Sequence, residues 1–264
     1  MQDYSMLYTS EVTDQTLKEL VEFISWYNKL GHEPLIVGGW AAYAYHGGLG
    51  SKDIDVVFPG GGAMQQTLLQ YFKVNGYDER KTSFFDYEFY KTRKTSNGRE
   101  VEMIIDAVSS DRKVVVNGTA LTIPWGLAEK YKRKHYFAQN VHAWIAEPEL
   151  MVIYKIGALI GRAANLSIAT ERERLRIEGK LWKDAKDLLG LFEKTPLASN
   201  KIAELLYKCG LSDEFLVQAK QNAEDYLSEK EKSAFQEKWK EKLESASLKD
   251  GLPKHLKKSA RNGL

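Results

Sequence analysis

The chain has 264 residues, 43% hydrophobic and 28% charged, which suits one large globular domain or two small ones and needs no disulfide or structural metal. Its formal net charge of +2 argues neither for nor against nucleic acid as a partner. The single cysteine, Cys209, excludes an intrachain disulfide and leads us to expect a reducing, cytoplasmic setting. No run approaches about 18 uninterrupted apolar residues, so no membrane span is expected, and the acidic opening MQDYSMLYTSEVTD does not read as a secretory signal.

Residues 13–30 place Leu17, Leu20, Val21, Ile24 and Trp26 near helical spacing, with Gly31 as a stop. Residues 34–37 read as a short buried strand ended by Gly38-Gly39, and 39–47 as an Ala-rich helix. Asp53 to Phe58 alternates as a second strand, ended by Pro59 and Gly60-Gly61-Gly62. A helix is predicted over 63–73, strands over 85–91 and 99–108, and a hairpin over 114–123 around Asn117-Gly118. A short helix near 125–135 and a strand near 140–145 complete this half.

After Glu147-Pro148 the pattern turns helical, with helices over 148–165, 179–193, 198–208, 212–226 and 228–246, and 169–178 as a charged connector or helix extension. The expected organisation is an α/β domain over 1–146, an all-helical domain over 147–248 and a basic tail over 249–264.

The informative stretch is Val37-Gly38-Gly39, thirteen residues, then Asp53-Ile54-Asp55. Residues i and i+2 of a strand share a face about 6.6 Å apart. At an effective dielectric near 20, two carboxylates at that separation repel by about 2.5 kcal/mol. Two aspartates on one face of an apolar strand therefore read either as a divalent-metal site or as a strand entry facing solvent. A diglycine at a helix start lets the backbone approach a ligand and offers free N–H groups to phosphate. On the strand 99–108, Glu102 and Asp106 share one face, and either could supply a third carboxylate. Asp106, set between Ile105 and Ala107, is preferred, with Glu102 read as solvent-facing.

These residues resemble the DNA polymerase beta-like nucleotidyltransferase superfamily, whose pattern is a hydrophobic residue, Gly, Gly or Ser, a spacer, Asp-x-Asp and a later third acid. The resemblance implies a small mixed sheet with flanking helices, binding an NTP with two Mg²⁺ (or Mn²⁺) ions. It implies that Asp53, Asp55 and Asp106 are catalytic and hold the metals, and that Gly38 and Gly39 lie against the triphosphate. Ser51 and Lys52 stand where many relatives carry Arg or Thr before the Asp-x-Asp, and join the nucleotide-binding set.

In the second half Glu147-Pro148-Glu149-Leu150, Lys155, Arg162 and Lys183-Asp184-x-x-Asp187-Leu188 resemble the abortive-infection (AbiEii-type) toxin nucleotidyltransferases. That resemblance implies nucleotide contacts from Lys155, Arg162, Lys183, Asp184 and Asp187. The alternative is a set of interhelical salt bridges with a Lys183–Asp187 pair inside one helix. Lys130, Lys132, Arg133 and Lys134 beside Tyr131 and Tyr136 read either as a solvated surface or as contacts to an RNA acceptor. The tail is read as a solvated terminus.

No Gly-Lys-Ser/Thr or Gly-x-Gly-x-x-Gly loop supports a Walker ATPase or a dinucleotide fold, and the five histidines show no zinc spacing. The expected function is metal-dependent nucleotidyl transfer from an NTP to an RNA, protein or small-molecule acceptor with release of pyrophosphate. The toxin resemblance implies a phage-defence role and an antitoxin partner. The alternative is a non-catalytic RNA- or nucleotide-binding regulatory protein on the same scaffold.

Overall fold

The structure is a computed structural model in which residues 4–59, 63–80, 88–95, 97–98, 100–116 and 121–244 are described. The predicted Asn117-Gly118 turn, Gly60-Gly61-Gly62, the start of the 85–91 strand and the basic tail lie outside these residues. After a 3-10 turn at Ser5–Tyr8, the chain runs through α1 (Ser10–Lys29), β1 (Leu35–Val37), α2 (Gly38–His46) and β2 (Asp53–Phe58). It continues through α3 (Ala63–Val74), β3 (Asp78–Arg80), β4 (Glu88–Lys94), β5 (Glu100–Ser109), β6 (Lys113–Val115) and β7 (Thr122–Pro124). Then follow α4 (Leu127–Lys130), β8 (Lys132–Ala138), β9 (Val141–Ala146), α5 (Pro148–Leu166) and α6 (Glu171–Lys194). The helices α7 (Ser199–Lys208), α8 (Asp213–Glu224) and α9 (Glu229–Trp239) come last, with a π turn at Lys240–Glu244. None of the described helices is long and apolar enough to cross a membrane.

The chain divides into two compact units. One takes the described residues of Gln2–Lys113 with Pro124–Glu147, and the other those of Val114–Ile123 with Pro148–Leu264. The first is built on a seven-stranded sheet in the order β3-β4-β5-β2-β1-β9-β8. The pairs β1/β9 and β2/β5 are parallel and the others antiparallel, so the sheet is mixed, as expected. Its core is apolar: Ile36, Ile54, Val57 and Ile145 are 0% exposed. On α1 the sealed residues are Leu20, Phe23, Ile24 and Tyr27, the i, i+3, i+4, i+7 stripe of a helix lying on a core. Burying each stabilises the unit by roughly 1.5–3 kcal/mol.

Glu19, on the buried side of α1, accepts from Tyr71 (2.9 Å), Tyr77 (2.8 Å), Lys91 (3.0 Å) and Arg93 (3.0 Å). Burial opposes its ionisation, but the hydrogen bonds from Lys91 and Tyr77 and the Lys91 charge prevail and hold its carboxyl below the ordinary value. The same burial and the Glu19 charge push the Tyr71 and Tyr77 hydroxyls upward. This carboxylate clamps α1 to α3 and β4, a role that sequence reading did not assign.

Two expectations need correction. The helix near 125–135 is only Leu127–Lys130, and Lys132–Ala138 is strand β8, paired with β9 from Lys132↔Ala146 to Ala138↔Val141. The ladder with β9 satisfies its backbone, so tertiary pairing overrides the helical tendency of its charged residues. The strand β3 was also missed: three residues are too few to show alternation.

In the helical unit the 169–178 segment is the first part of α6. Thr170 accepts from the Glu173 backbone N–H while the Glu173 carboxylate takes the Thr170 N–H, a reciprocal cap that starts the helix there. α5 is buried on almost every side from Pro148 to Ile160. A Cβ on Gly157 would come within 2.3 Å of Ile123 Cδ1, and one on Gly161 within 3.3 Å of Val116 Cγ1. These small residues let Val116 and Ile123 lie close on α5. Both thus pack with the helices.

Candidate active site

The site residues of the first unit converge through strand order. β2 lies between β1 and β5, with Val37 opposite Asp55 on one side and Asp106 opposite Asp55 on the other. Asp53 is one pleat repeat away on the same face, opposite Ile104. All three aspartates are half-buried, whereas Ile54 and Val56 between and beside them are 0% and 1% exposed on the core side. The alternation of β2 therefore turns its acids outward while its apolar residues seal the sheet.

Gly38 joins β1 to α2 with φ +64°, a left-handed conformation that favours glycine. A Cβ there would fall 1.8 Å from Asp55 Oδ2 and 2.6 Å from its Cγ. The Asp55 carboxylate thus occupies the space a side chain would need, directly at the start of α2. That helix begins without a side-chain cap and without an acidic residue in its first turn. Its first N–H groups lack intrahelical partners, and its positive end is the favourable end for a carboxylate or phosphate. Gly39 is buried in this first turn.

Glu102 lies four residues before Asp106, about 13 Å along the strand. Its carboxylate is held by Arg80 through two hydrogen bonds of 2.8 and 2.9 Å, and Arg80 also stacks over Tyr90 at 4.4 Å. Register thus sets Asp106, not Glu102, beside Asp55. Ser51 is buried, and Lys52 is half-buried with its ammonium 5.3 Å from the Tyr8 ring. His46 is buried and accepts the Gly48 N–H at 2.9 Å, a local cap.

Among the described residues no group of three or more His, Cys, Asp or Glu side chains is placed to hold a metal ion. The donor set fits a different arrangement. Mg²⁺ retains several waters and takes one or two carboxylates, completing its shell with substrate phosphate. The facing Asp55 and Asp106, with Asp53 beside them, offer such a partial set of hard oxygen ligands.

Five other sequence-predicted site residues lie in the helical unit, and the structure brings them into one network. Lys155 of α5 donates to Asp184 Oδ1 and Asp187 Oδ2 of α6, both at 2.6 Å. Lys183 donates to Asp187 at 2.6 Å, and Arg162 pairs with Asp184. Lys155, Lys183, Asp184 and Asp187 are each at most 5% exposed. This is the interhelical salt-bridge arrangement, with the Lys183–Asp187 pair inside one helix. Cys209 is 3% exposed, and burial pushes its thiol up to about 12, so it is an inert packing residue.

No protein-family model and no curated protein sequence matches the chain. Among solved structures, an antigenic nucleotidyltransferase-like protein from Paracoccidioides brasiliensis is similar at TM-score 0.45 and 13% identity, over 79% of this chain and 93% of that one.

Proposed function

We propose that the outward face of β2 and β5, with the start of α2, is the site of a metal-dependent nucleotidyltransferase. The observation that carries this reading is the Asp55 carboxylate set against Gly38 and opposite Asp106 in register. Carboxylates on neighbouring strands about 4.8 Å apart repel by about 3.5 kcal/mol at a dielectric near 20. A fold that keeps them together at a helix N-terminus is suited to a cation and a polyphosphate.

In this reading Asp53, Asp55 and Asp106 would hold Mg²⁺ or Mn²⁺ together with the substrate's phosphate and water, supplying part of the shell. The ions supply Lewis-acid stabilisation of the attacking and leaving oxygens. The backbone N–H groups at Gly38 and Gly39 receive the triphosphate. Asp106 accepts the proton of the attacking hydroxyl as its oxygen bonds the α-phosphorus. The bond to the bridging oxygen breaks, and pyrophosphate leaves. The protein's own contribution is placement and electrostatics.

The test is incubation of the protein with each α-labelled NTP, Mg²⁺ and total RNA, protein or metabolite fractions. Label should pass to one acceptor class with equimolar pyrophosphate release, and Asp55→Asn should prevent it. Absence of labelled product and of pyrophosphate with every NTP would contradict the reading. The finer reading, a toxin paired with an antitoxin, rests on the sequence resemblance. It predicts growth arrest on expression that Asp55→Asn relieves.

A further inference from the structure

The basic cluster of the first unit falls on strand β8, which forms one edge of the seven-stranded sheet among the described residues. Between positions 130 and 146 the chain carries Lys130, Lys132, Arg133 and Lys134 and no acidic residue. The cations are interleaved with rings. The Lys132 and Lys134 ammoniums lie 4.9 and 5.5 Å from the Trp144 ring on β9. On the opposite face Arg133 stacks over Tyr45 at 4.6 Å. Tyr136 is 62% exposed, with His142 beside it at 5.4 Å, and His135 and Phe137 pair edge-on at 4.8 Å. The acid that reaches this patch through a described contact is Glu33, which pairs with Lys134 and His142.

Lysines on an edge strand have a simpler use, since they discourage edge-to-edge pairing. That use does not account for an exposed tyrosine in the same strand, because an exposed apolar ring at an edge adds to the hazard the lysines would remove. Lysines flanked by Trp144 and followed by an exposed Tyr136 along an extended strand match a different chemistry. Single-stranded nucleic acid presents a phosphate and a free π-face in every nucleotide, whereas a duplex keeps its bases stacked inside. Lys132 and Lys134 are one pleat repeat apart, about 6.6 Å, a spacing that an extended polynucleotide backbone can follow.

We infer that the β8 edge, with Trp144 of β9, is a docking surface for single-stranded nucleic acid, its phosphates met by Lys132 and Lys134 and its bases by Tyr136. The inference does not require the transferase reading, since binding alone is claimed. The test is fluorescence anisotropy of labelled oligouridylate and oligothymidylate against a labelled duplex, with heparin as a polyanion lacking bases. Single strands should bind in preference to the duplex, and the ribo and deoxy arms identify the favoured source. Tyr136→Ala should weaken binding by roughly 5- to 150-fold, the loss of one stacked base, and Tyr136→Phe should restore it. Lys132→Gln with Lys134→Gln should lower the slope of log affinity against log salt by about 1.4. Asp55→Asn should bind as the unmodified protein does, which separates this surface from the proposed transfer site. Thermal melts of each variant confirm folding. Single strands that fail to bind at low salt would overturn the inference. So would equal binding of heparin, duplex and single strand by the unmodified protein, or unchanged single-strand affinity in a folded Tyr136→Ala variant, either of which would reduce the patch to a protected edge.

Discussion

Asp184 and Asp187 on α6 are sealed among Lys155, Lys183 and Arg162, while Asp53, Asp55 and Asp106 face outward from the sheet, half-exposed beside an uncapped helix start. Both groups contain paired aspartates spaced along one element with apolar residues between or beside them, and in sequence they look alike. The difference lies in what surrounds them. In the helical unit, fixed protein cations neutralise the acids, and taking these charges from water is repaid only while the network stays complete. On the sheet, the acids are gathered by register on one half-exposed face. One arrangement is suited to holding helices together, the other to receiving a mobile cation and its anionic partner.

The comparison is broken most severely by neutralising a sheet acid. Asp53→Asn and Asp55→Asn should each lower nucleotidyl transfer by about a thousand-fold or more, while melting temperatures in EDTA stay level or rise as repulsion is relieved. A large drop in melting temperature in both variants would show that the pair is structural. Loss of a network member should do the reverse. Lys155→Met removes the cation shared by two buried carboxylates, leaving Asp184 to Arg162 and Asp187 to Lys183, and should cost about 3–5 kcal/mol of stability, read from denaturant midpoints. A shift below about 1 kcal/mol would mean the network contributes little, and would direct attention to Lys155 as a nucleotide ligand instead.

Glu19 is a buried acid of the first unit that is neutralised in the manner of the helical unit. Glu19→Gln should destabilise by about 2–3 kcal/mol at neutral pH. Its folded-state carboxyl lies below the ordinary 4.5, so its stabilisation is full above that value and is lost as pH falls through the folded value. Melts of the two proteins should therefore converge on acidification, and a gap that persists or widens would contradict this account. The smallest effect belongs to Glu102→Ala. Its pair with Arg80 is largely exposed, so about 0–1 kcal/mol is at stake and transfer should persist. Loss of transfer comparable to Asp106→Ala would reassign the third carboxylate.

The elements that carry the candidate site are legible where they depend on local sequence. Asp53–Phe58 reads as a strand because alternation and Pro59 bound it, and Gly38 because a left-handed joint at a strand-to-helix turn favours glycine. Which acid joins Asp55 depended on the parallel pairing of β2 with β5, a long-range register that the residues of either strand do not encode alone. The same holds for Lys155, whose partners lie on the next helix. β8 was misread because an edge strand solvated on its outer side shows no apolar alternation: Lys-Arg-Lys-His-Tyr-Phe fits no period. The start of α6 was different, since Thr170 and Glu173 stand three apart as a helix-start signal and were available to be read.

The central claim is that Asp53, Asp55 and Asp106 form a metal-dependent triphosphate site at Gly38. It is tested most directly by calorimetric titration of the purified protein with each NTP, with Mg²⁺ and then with EDTA. At least one NTP should bind when Mg²⁺ is present and not in EDTA, with binding abolished in Asp55→Asn and in Asp106→Asn and normal in Glu102→Ala. Equal NTP binding in EDTA, or binding unchanged in both aspartate variants, would contradict the claim.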